Sequence, residues 1–251
     1  MKASVEVFSG KAESYVKYRG GYAEGLLDFL AVDCGLSADS IVADLGSGTG
    51  ALTKVLLDNK NLVYAIEPNA SMREMAERLL SSYSGFNSID STAEATTLPD
   101  ASVDIVTAGR ALQWFDVRAA LNEVSRILKP NGCAVFIWNQ RKKPATPLLQ
   151  AYREFLRVYC PDFDSVARRR RDARELLCRS GFRLKMLEYK EMLNLDQLKG
   201  LVLSLSVSPG EGDPRYGPML SALEELYEEH QIKGLLHFDY STAAYFRRVA
   251  C

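Results

Sequence analysis

Residues 40–53 read SIVADLGSGTGALT: an apolar run, one acid, then three glycines at alternate positions. The run IVADL (41–45) is short and nearly all apolar, as a strand buried on both faces of a parallel sheet must be. Glycines directly after such a strand let the backbone turn sharply and approach a ligand closely, because they carry no Cβ. Apolar residues then return at helical spacing in ALTKVLLD (51–58). Strand, glycine loop and helix together open an α/β sheet, and they raise the question of what the loop faces.

Outward from this stretch the same alternation continues. LVYAIE (62–67), FNSID (86–90), VDIVTA (103–108) and CAVFIWN (133–139) predict strands. Between them, ASMREMAERLLSSY (70–83) and VRAALNEVSRILK (117–129) predict amphipathic helices, the second stopped by KPNG (129–132). Strand–helix alternation implies a mainly parallel sheet covered by helices on both faces. After Asn139 the pattern changes: 141–235 reads as mostly helical apart from a strand-like FRLKMLEYKEML (182–193), and LLHFDYSTAAYFRRV (235–249) alternates like a closing strand. The expected organisation is one domain over 1–251, with a cofactor-binding core at 39–140, a helical cap carrying a late strand at 141–235 and a C-terminal strand in 236–251.

Composition narrows the partners. The chain has 251 residues, 47% hydrophobic and 25% charged, with a formal net charge of −1. Such a balance gives no global electrostatic case for nucleic acid or an anionic membrane surface. No apolar run approaches a bilayer span, and the first residues lack a secretory signal. The five cysteines are scattered and there are only two histidines, which predicts reduced thiols, no metal centre and a cytoplasmic protein. Oligomeric state is not legible from the sequence.

The glycine loop alone leaves its ligand open. GSGTGA satisfies the dinucleotide pattern G-x-G-x-x-[GA], with Ala51 at the third position. Glu67, at the end of the second strand and 21 residues after Gly46, suits the ribose hydroxyls of NAD, FAD or S-adenosylmethionine alike. Asp44 discriminates. A carboxylate aimed into this turn repels a pyrophosphate and suits the ammonium and sulfonium of S-adenosylmethionine. The alternative is that Asp44 only caps the following helix.

Four segments, taken in order, resemble the class I S-adenosylmethionine-dependent methyltransferases, closest to the small-molecule branch related to trans-aconitate and malonyl-carrier-protein methyltransferases. They are VADLGSGTG, VYAIEPNASM, STAEATTLPDASVDIVTAGRALQWFD and EVSRILKPNGCAVFIWN. AESYVKYRGGY is similar to the family's N-terminal lid helix, which places a lid at 1–38. The resemblance implies a Rossmann-like seven-stranded sheet with a lid helix and a helical cap insertion. It assigns the methionine end to Asp44, Gly46, Ser47 and Gly48, the ribose to Glu67 and the adenine surroundings to Met72. Thr92, Ala93 and Glu94 would form the adenine-edge loop, where Thr92 departs from the family's usual aspartate. Arg110 and Ala111 would line the methionine side, and Arg19 would pair with the cofactor's carboxylate or an acidic substrate.

Methyl transfer from a sulfonium is an in-line displacement that needs alignment and exclusion of water above all. A general base is dispensable for a carboxylate nucleophile, and the sequence shows no catalytic dyad. Tyr18, Gln113 and Trp114 are the substrate-side candidates, with Tyr15 and Tyr22 as further aromatics able to face a sulfonium. For Tyr15, Tyr18 and Tyr22, which recur at helical spacing, the simpler alternative is one buried helix face. His237 reads as structural, and the RRRR run (168–171) as a solvated helix end. The expected activity is therefore methyl transfer from S-adenosylmethionine to a small molecule, on a carboxylate or other oxygen or on carbon, releasing S-adenosylhomocysteine. The competing readings are a non-catalytic S-adenosylmethionine-binding protein and an NAD-dependent oxidoreductase.

Overall fold

The structure is a computed structural model describing residues 12–141 and 146–249. Helices α1 (Ala12–Tyr18) and α2 (Leu26–Cys34) lead into strand β1 (Ile41–Leu45) and helix α3 (Ala51–Asp58). Then come β2 (Leu62–Ile66), α4 (Ala70–Leu80), β3 (Phe86–Ile89), β4 (Val103–Gly109), a single 3-10 turn (Leu112–Trp114), α5 (Val117–Ile127) and β5 (Leu128–Arg141). The chain closes with α6 (Pro147–Tyr159), α7 (Phe163–Arg179), β6 (Arg183–Leu193), α8 (Leu195–Leu203), α9 (Tyr216–His230) and β7 (Leu236–Arg248).

The seven strands form one sheet in the order β3-β2-β1-β4-β5-β7-β6. The first five are parallel, while β7 runs antiparallel between β5 and β6. The seven-stranded Rossmann-like sheet is thus present. The strand order reverses between β1 and β4, and ligands of open α/β sheets bind outside the carboxyl ends of the strands at such a point. The glycine loop leaves β1 at that crevice.

Two apolar layers sandwich the sheet. Leu26, Leu30, Leu52, Leu56 and Leu80 of α2, α3 and α4 cover one face. Ala120, Val124 and Ile127 of α5 cover the other, joined by Ala173 and Leu177 of α7. A third cluster joins α6, α8 and α9 through Tyr152, Phe155, Leu198, Met219 and Leu223, with Phe238 of β7. The segment expected as a cap therefore divides. α7 lies on the sheet as an ordinary crossover helix, while α6, α8 and α9 make the separate cluster.

Local chemistry sets the helix starts. Asn69 accepts a bond from the Met72 amide at 3.0 Å, Asp116 accepts from Arg118 and Ala119, and Asn194 forms a reciprocal capping box with Gln197. The KPNG stretch differs from expectation. Helix α5 ends at Ile127 and strand β5 begins at once, with the register shifting as pairing passes from Val103–Leu128 to Ile105–Cys133. Asn131 takes a left-handed backbone, and a Cβ on Gly132 would meet the Asp104 and Lys129 carbonyls at 2.9 Å. The Pro-Asn-Gly stretch is a bulge inside the strand.

Candidate functional site

The three glycines of the loop all have positive φ, at 62°, 59° and 86° for Gly46, Gly48 and Gly50. Their surroundings differ. A Cβ on Gly46 would meet Ala111 Cβ at 2.7 Å and the Phe115 ring at 3.0 Å, and one on Gly50 would meet Leu80 at 2.5 Å. A Cβ on Gly48 would meet nothing within 4 Å. Gly46 and Gly50 are required by packing, whereas Gly48 opens onto space where a ligand can approach the backbone. Gly48→Ala is accordingly expected to cost only the backbone strain, about 1–2 kcal/mol, and to leave a folded protein impaired in ligand binding. Gly46→Ala adds a clash and is expected to reduce soluble expression. Thermal denaturation of the two variants side by side checks this.

Two acids flank the loop, Asp44 buried and Glu67 half-buried. Asp44, at the end of β1, has no exposed surface and accepts hydrogen bonds from Thr53 Oγ1 at 2.7 Å and Thr107 Oγ1 at 2.9 Å. Burial pushes its carboxyl up to about 6, against the opposing pull of the two hydroxyls. The acid thus ties β1 to α3 and β4 and places negative charge beneath the loop. Glu67, just beyond β2, accepts from the Gly48 amide at 2.8 Å and the Asn69 amide at 2.9 Å. Burial raises its carboxyl too, partly offset by those amides.

The remaining predicted residues fall into three groups. Met72 is buried with Ala12 and Met75 where α1 meets α4. Ala93 is buried and Thr92 bridges Ala95 across a tight turn, while Glu94 accepts from the Asp116 amide at 2.8 Å. This places 92–94 as a turn held against the start of α5. Ala111 is buried against the glycine loop, beside Arg110, whose backbone φ is 61°. Arg110 Nη1 donates to the Gly20 carbonyl at 2.9 Å and its guanidinium lies 5.1 Å from the Tyr22 ring centroid. Arg19 reaches the Ser204 carbonyl at 3.5 Å. Asn139 Nδ2 donates to the Gly21 carbonyl at 2.9 Å. The segment 19–22 is thereby laid over the carboxyl ends of β4 and β5.

The substrate-side candidates are placed less favourably. Gln113 is buried, its Nε2 donating to the Arg110 carbonyl at 2.7 Å and its Oε1 accepting from Trp138 Nε1 at 2.9 Å. Both ends of the amide are thus committed to positioning Arg110 and Trp138. Trp114 packs beneath α7, with the Arg169 guanidinium 5.7 Å from its ring. The Tyr18 ring packs against Gly200 of α8, in the space a Cβ would fill. Tyr22 packs against the apolar layer that α2, α3 and α4 form on the sheet, and His237 is exposed. The Tyr15 side chain lies outside the described residues.

A cavity of about 350 Å³ opens between segment 19–20, the ends of β4 and β5, and helices α6, α7 and α8. Trp138, Tyr152, Phe163 and Tyr240 give it aromatic walls, and Leu149, Leu156, Leu201 and Leu205 add aliphatic surface. Among the described residues its charged lining is Arg19, Arg110, Arg153, Arg170, Arg174 and Glu191. Burial raises the Glu191 carboxyl, against the pull of Arg110 and Arg19 and a hydrogen bond from Tyr189. The Tyr189 hydroxyl is pushed up to about 12, chiefly by burial and then by Glu191. The size is that of a small-molecule site.

Residues 43–136 match the family model described as a methyltransferase domain. An uncharacterised methyltransferase of Mycobacterium tuberculosis is 34% identical over 134 residues, 53% of this chain and 52% of that protein. A malonyl-[acyl-carrier protein] O-methyltransferase of Marinomonas is 29% identical over 132 residues, 51% of this chain and 48% of that protein. Among solved structures, a candidate type II methyltransferase from Anaeromyxobacter dehalogenans aligns with a TM-score of 0.63 at 20% identity, covering 93% of this chain and 99% of that one. The chain spans about half the length of the curated relatives it matches.

In the matched segment the glycine loop and both acids stand together at the switch point, and Arg110 and Ala111 connect them to the cavity. The cavity itself was missed from the sequence. Tyr189 and Glu191 alternate on one face of β6, and Arg170 and Arg174 stand one turn apart on α7. Only the packing of α6, α7 and β6 shows that these faces meet. Among the described residues no helix is long and apolar enough to cross a membrane, and Cys34, Cys133, Cys160 and Cys178 are in no disulfide.

Proposed function

We propose that the chain transfers the methyl group of S-adenosylmethionine to a small molecule, with a carboxylate oxygen as first choice of acceptor and a carbon nucleophile as second. The observation that carries this reading is the pair of acids around a glycine loop, Asp44 buried and Glu67 half-buried. Asp44 would repel a pyrophosphate, which argues against NAD, and together with Glu67 it suits a ligand with an ammonium, a sulfonium and ribose hydroxyls. The space beside Gly48 and the Glu67 carboxylate next to its amide fit such a ligand.

In this reading Asp44, Gly46, Ser47 and Gly48 hold the methionine end, with Asp44 acting through its field from beneath the loop. Glu67 takes the ribose, and Met72 with Thr92, Ala93 and Glu94 surrounds the adenine. S-Adenosylmethionine supplies an electrophilic methyl group on a cationic sulfur. The protein orients the acceptor and excludes water. Arg110 and Arg19 lie on the cavity side of the loop and would neutralise and aim a carboxylate, which is already ionised and needs no base. Trp138, held by Gln113, forms part of the dry wall. The similarity to a malonyl-[acyl-carrier protein] O-methyltransferase supports an oxygen as acceptor.

Incubating the protein with methyl-labelled cofactor and a series of small carboxylic acids tests the reading, with products identified by mass spectrometry. Methyl esters are the expected products. Transfer to carbon or to neutral hydroxyls alone would overturn the carboxylate assignment. Arg110→Ala is expected to raise KM for the acid at least tenfold, by removing a charge-assisted contact.

A further inference from the structure

The cavity is not uniform along its length. The RRRR run divides on its wall: Arg168, Arg169 and Arg171 are exposed, while Arg170 is half-buried and lines it. Arg174, one turn on, also lines it and donates through Nη1 to Gln140 Oε1 at 2.9 Å, which ties this part of α7 to the end of β5. In the other direction along α7 the lining passes to Val166 and then to Phe163, at the first turn. Phe163 and Arg174 are 11 positions apart, so this wall runs about 16 Å at about 1.5 Å per residue.

The Phe163 end is apolar. The Phe163 amide donates to the Cys160 carbonyl at 2.9 Å, so α7 starts one tight turn after α6. Leu149, Tyr152 and Leu156 of α6 line the cavity at helical spacing, and all three are buried members of the third apolar cluster. Leu201 of α8 is a fourth. Phe163 and Val207 are half-buried against the same cluster while lining the cavity. One end of the cavity is therefore walled by the core of α6, α8 and α9, and the other by polar groups at the ends of β4, β5 and β6. A water against leucine and phenylalanine side chains lacks the roughly two to four polar partners that hold buried water. Each ligand methylene placed there instead gains about fourfold in affinity.

We propose that the acceptor is an amphiphilic acid, with its carboxylate at the Arg110 end and an apolar tail of several carbons between α6, Phe163 and Val207. The carboxylate end rests on the proposed methyl-transfer reading; the apolar end does not. A small polyacid would set a second charge against that wall, at a cost in desolvation, and is the poorer ligand.

Isothermal titration of the full chain with butyrate, hexanoate, octanoate and suberate tests this, first without and then with S-adenosylhomocysteine. Affinity is expected to rise with chain length. Octanoate should bind at least about tenfold more tightly than butyrate, and than suberate, the diacid of the same length. Phe163→Gln and Val207→Gln, at half-buried positions, should each weaken octanoate at least about fivefold and leave butyrate within about twofold. Val158→Gln, exposed on α6 and outside the cavity lining, leaves both unchanged. A preference for octanoate over butyrate below about tenfold, suberate binding as tightly as octanoate, or no octanoate binding would overturn the proposal. So would unchanged octanoate affinity in the folded lining variants. If octanoate is preferred but S-adenosylhomocysteine does not bind, the apolar end stands and the methyl-transfer reading fails. If S-adenosylhomocysteine binds and chain length has no effect, the reading stands and the apolar end fails.

Discussion

Asp44→Asn is expected to stabilise the unliganded protein at neutral pH while weakening its hold on the cofactor. In the folded chain burial keeps the Asp44 proton up to about pH 6, whereas an unfolded aspartate releases it near pH 4. The folded state therefore binds more protons across that window, and this residue's contribution to stability falls as pH rises through it. At pH 7 the buried charge costs about 3 kcal/mol. Asparagine removes the charge but pairs less well with Thr53 and Thr107, so a net gain of about 1–2 kcal/mol is expected. Urea unfolding at pH 4 and pH 7 reads the difference: the variant's advantage grows with pH. A variant less stable than the parent at pH 7 would contradict it. A cationic ligand favours the ionised acid, so S-adenosylmethionine affinity should rise up to about pH 6 and then level off. Asp44→Asn should lose both that dependence and about tenfold or more in affinity.

Glu123→Ala is expected to be the most destabilising substitution near the site, by about 2–4 kcal/mol. Glu123 is 9% exposed and accepts from the Thr96 amide at 2.7 Å, the Thr96 hydroxyl at 2.6 Å and Arg126 Nε and Nη2. Arg126, 37% exposed, also reaches Asp100 at 2.6 Å. The arginine and the Thr96 bonds hold the Glu123 carboxyl down to about 2. Its contribution is fully present above the ordinary glutamate value and is lost as pH falls toward 2. Alanine strands the Thr96 amide in the interior and frees the turn at 92–98 from α5. The measurements are chemical unfolding, where the loss should appear in the midpoint, and cofactor titration, where the adenine side should weaken. An unchanged midpoint would show that another group satisfies Thr96.

The parallel half of the sheet was legible because buried strands and amphipathic helices differ in period, from IVADL at β1 to CAVFIWN within β5. What escaped were features settled by tertiary packing. KPNG carries every sign of a helix stop, yet the bulge it makes depends on Gly132 fitting against the carbonyls of Asp104 and Lys129. Gln113 looked available to a substrate, but its partner Trp138 lies on strand β5, 25 residues away. The arginine run looked solvated because three of its four members are; the fourth shares its face with Val166, Ala173 and Leu177. Asp44 and Glu67 stood out because strand ends beside a glycine loop are where sequence position and ligand position coincide.

The central claim is that the loop at 46–50 serves a cationic methyl donor and its thioether product, not a dinucleotide. Titrating the protein with S-adenosylhomocysteine and with NAD while following thermal denaturation tests it directly. A concentration-dependent rise in Tm is expected with S-adenosylhomocysteine, absent with NAD and lost in Glu67→Ala. A rise with NAD and none with S-adenosylhomocysteine would contradict it.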